Sequence, residues 1–555
     1  MPIKLHISNF TWTSIFFGVF ATLAHYYFGG NDHIEQLPII YKTMDASYLI
    51  HDFFTNSNSG YSPRYYYANF LSFLGNIFGI PWTFFIGTLC SNVATSFLTY
   101  LSGKKLFDSE HTGILAAALV MLIPVVSLGS DQVLYASLFT PTTLVFPLVL
   151  LAFYSLLQQK ILRCVIVCGT ISLFHVLIGF EYGILLLLVF IIAEYLENRK
   201  LVKALKNAGL VLIIFVFLLA NLIPHIQHSS SIESSVFIEI LANFRHPHHY
   251  LLSEILTLKE IAKCMLFIAT IILIWKKSKA QIQANRYIKY IQILTILLSI
   301  AIVLAWTFVE LIPSKLVTSM QLLRLLNIGK WIFILLLANY FTEVMRDKKF
   351  HPKTVVVILC LLLLIFFSEK SWQKVLLFGL GYSLVLYVVQ KKQKVILFAF
   401  LLVLTGSILT INFVDIAPIK KYQKNYLSSK FLENDQSLLA TFLRQNTPKE
   451  SLFLTPHTFG FIRTEGQRAI IVDYKAFPFN ELAMLEWYQR IEDCYGLIPS
   501  EFERNYKDLK DVKILKLSRK YHFNYAILYP ETQTEIPVIY ANSKYKIIDL
   551  NAHAK

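Results

Sequence analysis

The chain has 555 residues, 55% of them hydrophobic, 15% aromatic and only 15% charged, and its formal net charge is +16. A soluble protein of this length divides into several domains with far more charge, so the composition excludes a soluble enzyme and indicates a polytopic membrane protein. The positive balance does not imply nucleic acid, because outside the C-terminal tail most Lys and Arg stand in short turns between apolar runs, the usual signal for orientation in a membrane.

Apolar runs of crossing length lie near 10–28, 81–101, 112–128, 141–158, 162–179, 181–197, 206–223, 260–275, 288–308, 320–341, 354–368, 373–390 and 394–412, about thirteen helices by the length criterion. The first is too long and aromatic for a secretory signal and is expected to be retained. Basic clusters at Lys104/Lys105, Lys160/Arg163, Arg199/Lys200/Lys203, Lys276/Lys277/Lys279, Arg346/Lys348/Lys349 and Lys391/Lys392/Lys394 mark every second connection. These turns are therefore expected in the cytoplasm, with the N-terminus inside and the tail outside. Five cysteines (Cys90, Cys164, Cys168, Cys264, Cys360) lie in or beside apolar runs and Cys494 stands alone in the tail, so no disulfide or CxxC framework is expected.

The outward connections hold the unusual residues. The loop at 29–80 opens with Asn31, Asp32, His33 and Glu35 at the mouth of the first helix. Leu37, Ile40, Tyr41 and Met44 then recur at helical spacing, which predicts a segment lying on the bilayer surface. Tyr65–Phe78 is expected as a re-entrant or interfacial helix. A second loop carries Asp131, and a third the run Arg245-His246-Pro247-His248-His249-Tyr250.

Asp32, with His33 and Glu35, is the first candidate for catalysis, since a carboxylate at a helix mouth can serve as general base or help bind a metal. Arg324 and Lys330 fall inside the tenth run. Counted from Ser319, Lys330 is expected roughly 16 Å in, near the midplane, where a charge requires a cavity or a partner. The planar fork of Arg324 matches phosphate oxygens. Adjacent His248 and His249 are poorly placed to share one ion, so Arg245, His248 and His249 are expected at a phosphate rather than in a closed metal site. A polar interfacial loop and a buried ion pair are the plainer alternatives for these two groups.

From 413 onward the composition changes. A helix at 437–445, strands at 451–455 and 469–474, a helix from Asn480 to about Cys494, helical segments near 501–519 and strands at 525–529, 538–540 and 545–548 describe a small α/β domain. Asp473, Lys475 and Trp487 in this tail, with Asp131, are candidate acceptor contacts; a Trp on an amphipathic helix is more often core.

This topology resembles the GT-C membrane glycosyltransferases: N-terminus inside, an acid just past helix one on a long outward loop with surface helices, and a C-terminal outward α/β domain. Asp32 carries the resemblance; His33 follows it where that class usually has a second acid, and no WWDYG-type motif is present. The runs GGNDHIEQLP, RHPHHY and VDYKAFPF–EWYQRI also resemble an uncharacterised bacterial integral-membrane family. The resemblance implies a GT-C-like membrane domain (1–412), an extracytoplasmic domain (413–555) and a location in the bacterial cytoplasmic membrane. It implies a sugar donor carried on polyprenyl phosphate, membrane lipid as a partner, no nucleic acid, and inverting transfer to a glycan, lipid or protein. Asp32 would act on the acceptor while Arg324 and the Arg245/His248/His249 loop steady the departing phosphate. No cofactor is certain, and a divalent Mg or Mn ion is a candidate. Polysaccharide polymerase or ligase, and lipid or solute transporter, are the rival readings; transporters usually carry paired repeats, and none is visible in the sequence.

The alternation of basic turns sets a first test. An alkaline phosphatase fusion at Lys555 is expected to be active and a fusion after Lys394 inactive; the reverse pattern would invert the topology.

Overall fold

The computed structural model describes residues 9–122, 134–199, 232–257, 286–346 and 434–553, with isolated positions between 202 and 272. The expected spans at 354–368, 373–390 and 394–412, nearly all of those at 206–223 and 260–275, and Asp131 lie outside the described residues. Among the described residues, four helices are long and apolar enough to cross a membrane: Ile80–Phe107, Val176–Glu197, Tyr287–Leu311 and Lys315–Glu343. Three shorter apolar helices accompany them, Glu110–Met121, Pro141–Leu157 and Ile161–Phe174.

The chain enters through α1 (Asn9–His25) and runs across the long loop in α2 (His33–Met44), α3 (Phe53–Ser57) and α4 (Tyr65–Phe78). It then builds a bundle from α5 (Ile80–Phe107), α6 (Glu110–Leu122), α7 (Pro141–Leu157), α8 (Ile161–Phe174), α9 (Val176–Asn198), α10 (Arg286–Trp306) and α11 (Leu326–Arg346). Local chemistry sets the starts. Pro141 occupies the first turn of α7, where its missing N–H costs nothing, and the Thr140 hydroxyl accepts from the Thr143 amide at 3.2 Å. At the head of α5, Gly79 takes a φ of 80° and a Pro again fills the first turn.

The bundle is tied together by packing and by a polar stripe on α5. A Cβ on Gly18 would stand 2.5 Å from the Val93 Cα, so α1 and α5 meet backbone to backbone. Asn92 donates to the Thr22 hydroxyl at 3.0 Å, Ser96 donates to the Ser14 carbonyl at 2.6 Å, and the buried Trp331 indole donates to Thr99 at 2.9 Å. In a membrane interior such polar groups need internal partners, and here α1 and α11 supply them.

The tenth expected run is interrupted. Gln321 takes a φ of 53°, ending the short helix Lys315–Met320; a 3-10 turn, Leu322–Leu325, follows, and α11 starts at Leu326. Arg324 therefore sits in a turn at the helix mouth. Lys330 lies one turn into α11, about 6 Å along it, rather than eleven residues into one unbroken helix from Ser319. Lys330 is buried.

The tail follows the sequence expectation closely. Helices α12 (Asn434–Asn446), α13 (Glu481–Tyr495), α14 (Phe502–Lys507) and α15 (Asp511–Tyr521) cover a five-stranded sheet. Its strands are β1 (Leu452–Leu454), β2 (Ala469–Ile470), β3 (Tyr525–Leu528), β4 (Val538–Ala541) and β5 (Lys546–Asp549), in the order β2-β1-β3-β5-β4. β1 pairs in parallel with β2 and β3, while β5 runs antiparallel to β3 and β4. The two-residue period sorts the faces. Leu452, Leu454, Ala526 and Leu528 join the core under α13 to α15, whereas Phe453, Tyr525 and Ile527 join the core under α12.

The tail is docked onto the membrane domain through a buried ion triad. Arg463 gives Nε to Asp52 at 2.8 Å and Nη1 to Asp473, with all three side chains closed to water. Asp52 also caps α3 through the Thr55 amide at 2.8 Å and accepts from the Ile470 amide at 3.1 Å. Replacing Arg463 by Met leaves two carboxylates buried without a counter-charge, a loss of about 3–5 kcal/mol. The Arg463→Met protein in nanodiscs is expected to unfold at a clearly lower temperature and to lose protease resistance in the tail. Unchanged unfolding would show that the triad is not what holds the two parts together.

Candidate active site

The turn that follows α1 is made by two left-handed residues, Gly29 at φ 84° and Asn31 at φ 51°. It brings Asp32 to the N-cap position of α2, yet the carboxylate makes no capping bond. Instead it faces the tail, where the Lys475 ammonium stands 3.0 Å away and also donates to the Asn31 side-chain oxygen. Burial pushes the Asp32 pKa up, but Lys475, by charge and hydrogen bond, and then Arg64 and His33 more than offset this and hold it below the usual carboxylate range. The α2 N-terminus favours the same ionised form.

His33 and Glu35 behave differently from Asp32. His33 is fully buried, its Nδ1 accepting the Gly29 amide at 3.1 Å, and burial lowers its pKa to about 3. It is a neutral residue that holds the Gly29 turn, which does not fit the expected part in proton transfer. Glu35, half-buried, is pushed up to about 7, first by burial and then by the Asp32 charge, against the pull of Arg245, Arg64 and Lys475. Of the three, only Glu35 titrates near neutrality.

A cationic rim surrounds these acids. Arg245 is buried; it donates to the Lys475 carbonyl at 2.7 Å and lies over the Tyr474 ring at 5.0 Å, so it fixes the segment bearing Lys475. Arg324 reaches the His175 Nε2 at 3.4 Å and interacts with the charges of Glu181, Arg64 and Asp32. Glu181 is buried with no hydrogen-bond partner for either carboxylate oxygen among the described residues. Gln321 donates to the Tyr250 hydroxyl beside Arg324. His246, His248 and His249 place their ligand atoms within 4.8 Å of one another. From sequence, adjacent His248 and His249 are expected to be poorly placed to share one ion; in the one-turn helix Pro247–Tyr250 both nevertheless approach His246.

The expected acceptor contacts separate. Lys475 lies in the site. Asp473 and Trp487 do not: Asp473 is committed to Arg463 and to the Ala476 amide, at 2.6 Å for the latter, and the buried Trp487 indole donates to the Asp473 carbonyl at 3.0 Å. Both are core residues of the tail. Sequence reasoning missed Arg64, which closes the long loop and bears on Asp32 and Glu35, and it missed the polar stripe on α5. That stripe was readable as Thr88, Ser91, Asn92, Thr95 and Thr99, hydroxyls and an amide at helical spacing in an apolar run.

A cavity of about 180 Å³ is lined by Tyr27, Asn31 and Asp32 with residues of α5, the segment 134–140, α7 and the start of α11. On the lipid side, α4 and the head of α5 leave Phe73, Ile77, Phe78 and Trp82 exposed, a surface suited to acyl chains.

A family model described as "Domain of unknown function (DUF6798)" matches residues 435–494. No curated protein sequence matches the chain significantly. Among solved structures the chain is similar to ArnT from Cupriavidus metallidurans in the apo state, at 10% identity over 97% of this chain and 96% of that one, with a TM-score of 0.45. It is also similar to the Archaeoglobus fulgidus oligosaccharyltransferase tethered with an acceptor peptide, at 11% identity over 94% of this chain and 69% of that one, TM-score 0.45. A third similar structure is AglB from Archaeoglobus fulgidus in complex with an inhibitory peptide and a dolichol-phosphate, with the same identity and coverage, 11%, 94% and 69%, and a TM-score of 0.44.

The raised Glu35 pKa carries a stability signature. Its folded value, about 7, exceeds the ordinary 4.5, so the folded state holds the proton more tightly and loses stability as pH rises between those values. Glu35→Gln removes the dependence. Relative to the native chain, the variant should therefore gain thermal stability at pH 8 over its standing at pH 5, read by unfolding temperatures in nanodiscs; parallel curves would refute the burial of this acid.

Proposed function

We propose that the chain is a membrane glycosyltransferase of the GT-C type. It moves a sugar from a polyprenyl-phosphate donor to an envelope glycan, lipid or protein acceptor on the outer face of the cytoplasmic membrane. The observation that carries this reading is an ionised Asp32 lining a polar cavity, ringed by Arg64, Arg324 and Lys475. A carboxylate aimed at a nucleophile and cations aimed at a leaving anion are the two requirements of displacement at an anomeric carbon bearing phosphate.

The displacement is a single step. An acceptor hydroxyl or amine forms the new bond to the anomeric carbon as the bond from that carbon to the phosphate oxygen breaks, and the phosphate leaves with the electron pair. Asp32, held below the usual range, is a weak base. It orients the acceptor first and takes its proton late, once bond formation has made that proton acidic. Glu35, one helical turn along α2 and titrating near neutrality, is suited to pass the proton to water. Arg324 and Arg64 stabilise the departing phosphate, while Arg245 steadies Lys475 from behind.

The oxygen donors at Asp32 do not fit Mg or Mn. Asn31 and Asp32 hold the Lys475 ammonium between them, where a divalent ion would need to sit and would be repelled. The three imidazoles at 246–249 are nitrogen donors, a set that suits zinc-like ions rather than Mg or Mn. No step of this mechanism runs through a metal.

Asp32→Asn keeps the size and removes the charge. Turnover in a purified assay is expected to fall by roughly 10²–10⁴-fold with little change in donor affinity. Arg324→Ala should instead weaken donor binding in a folded protein. If Asp32→Asn turns over like the native chain, the assignment fails.

A further inference from the structure

The cavity lined by Asp32 has a chemistry of its own. On α5, Thr83, Thr88 and Thr99 close their hydroxyls on carbonyls four residues back, at 2.9, 2.9 and 2.7 Å. Ser91 and Thr95, on the same helix and more than nine-tenths buried, make no such bond, nor any other side-chain hydrogen bond among the described residues. Both line the cavity, as do Ser137 and Thr142, whose hydroxyls are likewise unengaged among the described residues. A buried hydroxyl without a partner costs stability unless something bonds it. Two deeply buried hydroxyls, Ser91 and Thr95, and two half-buried ones, Ser137 and Thr142, lining one space describe a site suited to a ligand rich in hydroxyls.

Charge narrows the ligand further. Among the described residues the lining contains no Lys, Arg or His, and Asp32 is its only acid. Lys475 is already committed to Asp32 at 3.0 Å, so a carboxylate or phosphate deep among these hydroxyls would find no free counter-charge in the described lining, a costly burial. Size narrows it again. A cavity of about 150 Å³ accepts one benzene, so about 180 Å³ is room for one six-membered ring.

Resting on the transferase reading, we infer that this cavity seats the transferred sugar, and that the sugar is a single uncharged, hydroxylated ring hydrogen-bonded by Ser91, Thr95, Ser137 and Thr142. Its anomeric carbon then lies toward Asp32, and its phosphate toward Arg64 and Arg324. Uronic and phosphorylated sugars fit less well, since the described lining holds no cation of its own.

The test is equilibrium binding to the full chain in nanodiscs of three lipids: bare polyprenyl phosphate, the same carrier bearing glucose, and the same carrier bearing glucuronate. Glucose is expected to raise affinity over the bare carrier, and glucuronate is expected to add nothing. In Ser91→Ala/Thr95→Val the glucose gain should shrink about threefold to tenfold per hydroxyl lost, while affinity for the bare carrier stays the same. Thr142→Ala, at the half-exposed start of α7, gives a second reading should the double variant fold poorly. The inference is overturned if glucose adds nothing, if glucuronate adds as much, or if the gain is blind to all three substitutions. A glucose gain lost in these variants but never followed by transfer upholds the cavity and sinks the transferase. Transfer that is indifferent to the hydroxyls does the opposite.

Discussion

Arg463 is fully buried between two carboxylates that come from different parts of the molecule, Asp52 from the loop after α1 and Asp473 from the tail. Desolvating three charges is expensive, and only close geometry offsets it. That expense makes the arrangement specific, since a docking that displaced either carboxylate would bury an uncompensated charge. Asp473 is fixed further by the Ala476 amide, and its carbonyl by the Trp487 indole. The turn holding Lys475 is thereby set over Asp32, with Ala476 inserted among the loop helices and Arg245 bonded to the Lys475 carbonyl from the other side. Gly460 belongs to the same contact: a side chain there would meet Ile34 at 2.2 Å.

Because the tail supplies the cation that pairs with Asp32, the site is shared between two folding units. Its field is positive overall, with Arg64, Arg245, Arg324 and Lys475 against Asp32, Glu35 and Glu181. In a place partly closed to water these charges act more strongly than they would on an open surface. They suit an anion. The cavity lined by Asp32 also carries the neutral hydroxyls of Ser91, Thr95, Ser137 and Thr142, so charged and uncharged polar groups meet there.

Some of this was decided by the sequence alone. Apolar length and the composition change after 413 marked the membrane class, the helices at α2 and Tyr65–Phe78 and the order of elements in the tail. Each is a local property: hydrophobic period, chain length and turn residues act over a few neighbours. Asp32 was legible for the same reason, being the first acid beyond the first helix, next to residues able to take a left-handed turn.

Tertiary structure decided what long-range contact controls. Asp473 read as a candidate contact and is core, because its partner is Arg463; Trp487, for which core was already the commoner reading, packs into the tail core beneath the sheet. The tenth run read as one continuous helix and is broken ahead of Leu326, because Gln321 takes a backbone conformation that hydropathy does not register. His248 and His249 read as poorly placed to share one ion and approach His246 through a single turn of helix. Arg64 had no local mark at all. Its importance comes from charges separated from it along the chain and gathered around it in space, and no local pattern in one sequence encodes that distance.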